Sequence, residues 1–286
     1  MSEDIYAELD DFDPGPLVGY LRDPEKKPGE TPDKEFSAEL RPALSSWILP
    51  GDVDFSEHTT DTNQYSAPSC VGNATADAVE VLNSLAGHPP VQLSRMFIWT
   101  LCRNMMDTDR DGRSDIDQIK GTYIRLAFEV LHLFGVCRED IPEGKGGWPY
   151  KVDDRYMKRL PDMKAMRAAI GHKIHSYYRI TETGEDRIEA LLDALRSKHP
   201  VVFGTLVDKA FMRLRGPQTA GIPKGATEGG HAMMLVGYDS AKGFIVKNSW
   251  GPGWGEGGLA YMAPEYMAWD KTWDIWVPTM GTVFNS

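Results

Sequence analysis

The sequence predicts an α+β fold of two unlike lobes with a cleft between them, and three observations predict it. Apolar residues recur at helical spacing between Ser69 and Phe134. After Pro161 the chain changes to short β-type runs separated by glycine-rich turns. The side chains able to make a working thiol are divided between the halves, with Cys70 in the first and His231 and Asn248 in the second. The helical lobe is expected over about residues 60–165 and the β lobe over about 166–286. An acidic, proline-rich extension, 1–45, precedes this 46–286 domain.

Residues 1–40 hold twelve Asp/Glu against four Lys/Arg and carry −8 of the formal net charge of −11. Pro14, Pro16, Pro24, Pro28 and Pro32 punctuate them. Such a composition describes an extended arm, ending near Arg41 to Leu49, and not a packed domain. Its apolar residues Phe12, Leu17, Val18, Tyr20 and Leu21 are its candidate anchors, each worth about 1.5–3 kcal/mol when buried. Residues 12–22 are therefore expected to pack on the chain's own domain. The alternative is an arm that docks on a partner or on another copy of the chain.

With 41% apolar and 26% charged residues the chain is an ordinary soluble one, long enough for a sizeable core. No basic stripe offers a nucleic-acid surface. No run approaches the ~18 apolar residues of a membrane helix, so no membrane partner is expected. The start, MSEDIYAELDDFD, lacks the basic and apolar regions of a signal peptide. Three cysteines are too few for a disulfide framework. A reducing location fits, in a cytoplasm or a virus particle.

From Ser69, Val71, Ala74, Ala78, Leu82 and Leu85 repeat at steps of three and four. Ser69 reads as the N-cap, which puts Cys70 in the first turn, where unpaired N–H groups and the helix dipole favour a thiolate. Further helices are expected from Leu93 to about Met105 and from about Tyr123 to Phe134. The runs KIHSYYRI, PVVFGTLV, HAMMLVGYD and GFIVKNSW read as strands. GGHAMMLVGYD sets His231 at the start of one strand, and FIVKNSWGPGWGEGG sets Asn248 near the end of the next. Side by side, Asn248 can accept from one ring N–H and leave the other nitrogen facing Cys70.

Gln64 six residues before Cys70, GGHA at 229–232 and KNSWGPGWGEGG at 247–258 together resemble the papain-like cysteine peptidases. QLS at 92–94 and GVCREDIPEGKGGWPY at 135–150 extend the likeness over about 46–286, nearer to bacterial and phage members than to secreted plant and lysosomal ones. The resemblance implies a papain-like fold with its active site between the lobes. It implies a cysteine endopeptidase that cleaves peptides or proteins through a thioester acyl-enzyme and needs no cofactor for catalysis. Cys70 would be the nucleophile, His231 the general base and acid, and Asn248 its orienter. Gln64 and the Cys70 N–H would hold the oxyanion, with Trp250, Ser69 and Gly230 in support. The likeness to papain-like zymogens, whose N-terminal propeptide runs through the cleft, implies that residues 12–22 reach it. Where the family has a cysteine three residues before the nucleophile and a tryptophan after it, this chain has Ala67 and Val71. Cys102 and Cys137 read as core thiols. A self-processing or transamidating thiol enzyme, or a silent protein retaining the fold, are the competing readings.

DTDRDGRSDIDQ at 107–118 matches the first half of an EF-hand-type calcium loop. Asp107, Asp109, Asp111, the Arg113 carbonyl and Asp115 are its candidate ligands, but position twelve is Gln118. Three alternate aspartates repel unless a cation joins them, so a structural calcium is expected. The alternative is a solvated acidic turn.

Overall fold

The computed structural model describes residues 19–44 and 51–280. The proposed anchors Phe12, Leu17 and Val18 lie outside them. Two short strands, β1 (Tyr20–Leu21) and β2 (Val53–Asp54), precede the long helix α1 (Cys70–Leu85). Helix α2 (Arg95–Met105), strand β3 (Thr122–Tyr123) and helix α3 (Ile124–Leu133) complete the first half's main elements. All three helices begin within two residues of where periodicity put them. Helix α2 starts after Leu93 because Ser94 caps it, accepting from the Phe97 N–H at 3.0 Å, while Leu93 bridges to Arg138.

The second half is built on β4 (Ser176–Ile180), helix α4 (Gly184–Arg196), β5 (Val201–Val207), β6 (Thr219–Ala220), β7 (Gly229–Asp239), β8 (Gly243–Lys247), β9 (Leu259–Met262) and β10 (Thr272–Thr279). These strands order as β4-β10-β5-β7-β8-β9-β6, with β2 added against β7. The pairings from β4 to β9 are antiparallel and β6 lies parallel to β9. Register does the positioning. Thr205 of β5 faces His231 of β7, and Lys247 of β8 faces Met234, so Asn248 lies just past the end of β8.

Helix α1 is the molecule's axle, buried at every position from Cys70 to Asn83. A helix buried all round must satisfy its polar residues internally. Asp77 and Glu80 do so through Arg95 of α2, whose Nη2 lies 2.8 Å from Asp77 and 3.1 Å from Glu80. Glu139 meets the same guanidinium at 3.4 Å. The QLS segment belongs to this knot: Leu93 donates its N–H to Glu80 at 2.7 Å, and Ser94 donates to the Trp148 carbonyl.

From Gly19 to Glu35 the arm is extended, as its composition predicts, and docked, whereas Phe36–Leu40 and Arg41–Leu44 are helical, against that expectation. Strand β1 runs parallel to β3, pairing Tyr20 with Thr122 and Leu21 with Tyr123. Further on, Glu35 bridges to Arg179 of β4, and Phe36 is fully buried. Arm acids meet cations of both lobes, with Asp33 3.1 Å from Arg125 and 3.4 Å from Arg179. Among the described residues, no helix is long and apolar enough to cross a membrane.

Candidate active site

Cys70 opens α1, with the N–H groups of Val71 and Ala232 directed at its sulfur. Ala232 follows His231, so β7 runs against the thiol at the residue next to the imidazole. Ser69 occupies the N-cap position but does not cap, since its hydroxyl bonds Tyr150 Oη at 2.6 Å and accepts from Asn73 Nδ2. The helix N-terminal donors are thus left to the sulfur's side of the turn.

His231 Nε2 lies 2.7 Å from Asn248 Oδ1, so Nδ1 is the ring nitrogen left for a further partner. Trp250 stacks on the imidazole, with centroids 4.5 Å apart and planes 25° off parallel, and roofs that hydrogen bond. Asn248 Oδ1 also accepts the Ser249 N–H at 2.8 Å, which fixes the carboxamide's orientation. Gln64 is held by Ser249 Oγ donating to its Oε1 at 2.7 Å, and one Nε2 hydrogen goes to the Ala67 carbonyl. Cys70, His231, Asn248, Gln64 and Trp250 are all buried.

The arm lies directly over the thiol. A Cβ placed on Gly19 would stand 2.7 Å from Cys70 Sγ, so the backbone crosses the thiol where only glycine fits. Tyr20 then enters a slot walled by Gly204 and Gly230, where added Cβ atoms would stand 2.1 and 3.0 Å from its ring. Its hydroxyl donates to Asp274 Oδ2 at 2.6 Å. Asp23 is buried beside it, donating its N–H to the same oxygen and accepting from Trp276 Nε1 at 2.9 Å.

Covering the site reverses the electrostatics that the helix terminus alone predicts. Burial pushes the Cys70 thiol up to about 12, outweighing its N–H donors. Burial also pushes His231 down to about 4, against the opposing pull of Asn248. The covered site is therefore a neutral thiol beside a neutral imidazole.

Cys102 and Cys137 are buried and free, matching their reading as core thiols. In the 107–118 loop, carboxylate oxygens of Asp107, Asp109 and Asp115 lie within 4.8 Å of one another. Asp111 is outside that group and accepts the Arg113 N–H at 2.8 Å. Asp115, the buried member, already has a cation: Arg103 Nη2 lies 3.1 Å away, and Thr108 donates to it at 2.7 Å. Arg103 thus supplies positive charge to Asp115, the one buried member of the cluster.

Sequence reasoning overlooked Tyr150, whose hydroxyl donates to the Gln64 carbonyl at 3.0 Å, and Ser249, which holds both Gln64 and Asn248. It also overlooked Asp274. The available signal was an acid inside the otherwise apolar strand TWDIWVPT.

Residues 49–271 match the model of the Papain family cysteine protease. An uncharacterized peptidase C1-like protein of Acanthamoeba polyphaga mimivirus is 30% identical over 256 residues, covering 85% of this chain and 78% of that protein. Xylellain, a cysteine protease from Xylella fastidiosa, superposes with TM-score 0.73 at 28% identity over 92% of this chain and 96% of that one. Digestive procathepsin L 3 of the Tenebrio molitor larval midgut shares the fold at TM-score 0.61 and 18% identity, over 86% and 81%. The bacterial and viral relatives agree with the branch suggested by the sequence, and the chain belongs to the papain family of cysteine proteases.

Proposed function

We propose that this papain-family protease is an endopeptidase that works through Cys70, His231 and Asn248, and that residues 19–23 hold it in a covered resting state. The observation that carries the reading is the 2.7 Å His231–Asn248 bond beneath Trp250, beside a thiol at a helix start. Once the arm leaves, water and substrate reach the site and relieve the burial that keeps both groups neutral. The Cys70 proton passes to His231 Nδ1, and the thiolate attacks the substrate carbonyl. The Cys70 N–H and the second Nε2 hydrogen of Gln64 receive the oxyanion. His231 then protonates the leaving amine, which gives a thioester. Water attacks this thioester, giving its proton to His231, and the acid product leaves as Cys70 recovers its hydrogen.

The arm's own peptide is poorly placed for cleavage. Its Gly19 carbonyl is already engaged by the Thr122 N–H at 3.2 Å. This favours an inhibitory arm over self-processing. Full-length protein incubated with fluorogenic peptides should hydrolyse them, and Cys70→Ala should not. Acid-quenched samples should show an acyl adduct on the Cys70 peptide. Intact mass should stay constant, and steady loss of the first residues would make the chain a self-processing enzyme instead.

A further inference from the structure

The slot that Tyr20 fills lies beside the thiol, one residue along from Gly19. Its walls are backbone, from Gly204 of β5 and Gly230 of β7, so it admits a flat ring edge-on. At its end stands Asp274, whose side chain is fully buried. This residue adopts φ +49 at the irregularity of β10 between Trp273 and Trp276. A bulge with a non-glycine residue at positive φ re-aims a side chain at a local energetic cost, and such sites cluster where a ligand is met. Arg179 Nη2 approaches Asp274 Oδ1 at 3.1 Å and neutralises the carboxylate from outside the slot. Oδ2 faces inward and takes the Tyr20 hydroxyl at 2.6 Å.

Resting on the peptidase reading, we propose that this slot receives a substrate side chain once the arm leaves, and that Asp274 makes it selective for tyrosine. Phenylalanine fills the same space but leaves Oδ2 without a donor. Arginine and lysine bring a charge to a carboxylate that Arg179 already balances. Aliphatic side chains leave the space between Gly204 and Gly230 partly empty. Tyr20 of the arm thus occupies the enzyme as its preferred substrate residue does.

A peptide library with tyrosine, phenylalanine, leucine or arginine placed at each position in turn tests this on the full chain. Arm closure lowers every rate by the same factor and cancels in the ratios. One position should show tyrosine preferred over phenylalanine by about ten- to a hundredfold, the worth of one buried hydrogen bond to a charged group. Asp274→Gly, which keeps the positive φ and removes the acceptor, should bring that ratio to about one. Asp274→Asn serves if the glycine variant misfolds, with the ratio falling to a few-fold at most. A wild-type ratio within twofold at every position, or a preference for tyrosine untouched by both variants, overturns the proposal. If nothing in the library is cleaved, the peptidase reading has failed separately. The slot is then judged by calorimetry on a full-length Tyr20→Ala/Cys70→Ala chain, where tyrosine peptides must bind more tightly than phenylalanine ones.

Discussion

Replacing Tyr20 by alanine should turn a slow full-length enzyme into a fast one. The side chain is 5% exposed, and its hydroxyl is bonded to a buried carboxylate at 2.6 Å. Truncating a buried aromatic residue costs about 3–5 kcal/mol. Here that cost falls on arm docking, because the residue's partners Gly204, Gly230 and Asp274 belong to the domain. At about 1.36 kcal/mol per decade, the open fraction rises a hundred- to several-thousandfold until the arm is fully released. Only the open form binds substrate, so kcat/KM should rise by the same factor up to that ceiling. Tyr20→Phe keeps the ring and loses the bond, worth about 1.5–3 kcal/mol, and should fall between the two. Rates on a fluorogenic peptide, with circular dichroism and Tm as folding controls, should rank wild type below Tyr20→Phe below Tyr20→Ala. Equal rates in three folded proteins would refute the inhibitory role of the arm. Point variants are the cleaner test, since cutting the chain near residue 46 also removes Phe36 from the core.

Docking should weaken as pH rises. Asp23 in the docked arm is pushed up to about 7, by burial first and then by the charge of Asp274, which burial also raises. Arg125, Arg179, Arg22 and the Trp276 N–H face the pair and pull the other way without cancelling the shift. Freed, Asp23 returns to about 4, so the docked form holds the extra proton and docking is strongest below about pH 4. The wild-type rate divided by the Tyr20→Ala rate, in which catalytic titrations cancel, should climb up to about tenfold per unit towards pH 7, and a flat ratio contradicts the linkage. Arg95→Ala strands Asp77, Glu80 and Glu139 as buried acids and should destabilise the fold by about 3–5 kcal/mol in urea titration. A loss below 1 kcal/mol would mean the acids simply protonate. With Arg103 serving Asp115, Tm should be the same in calcium and in chelator, and a rise abolished by Asp107→Ala/Asp109→Ala would establish the calcium loop instead.

Local pattern made the candidate catalytic residues legible, because each sits at the end of a regular element. Cys70 begins a periodic helix, His231 begins an apolar strand, and Asn248 follows one. The arm's composition announced an extended segment, and Tyr20 was visible as an anchor. What stayed hidden depends on register between distant segments. Nothing near Gly19 in sequence says that it must cross Cys70, and the glycines that admit Tyr20 lie more than 180 residues further on. Asp274 looks out of place in its strand, but only the bulge in β10 shows where its carboxylate is aimed. The thiol's acidity goes the other way from its local reading, because burial outweighs the N–H donors of the helix start. In the acidic loop, spacing announced the cluster of Asp107, Asp109 and Asp115, but not that Arg103 of α2 pairs with its buried member.

Cys70 as the proposed working nucleophile and the arm as its cover can be tested together. Substoichiometric iodoacetamide followed by peptide mapping, on wild-type and Tyr20→Ala full-length chains, tests both halves at once. Tyr20→Ala should be labelled at Cys70, with hydrolysis lost in proportion, while wild-type Cys70 reacts far more slowly and Cys102 and Cys137 stay unmodified in both. Labelling of Cys102 or Cys137 first, or a Cys70-labelled chain that still hydrolyses peptides, would contradict it.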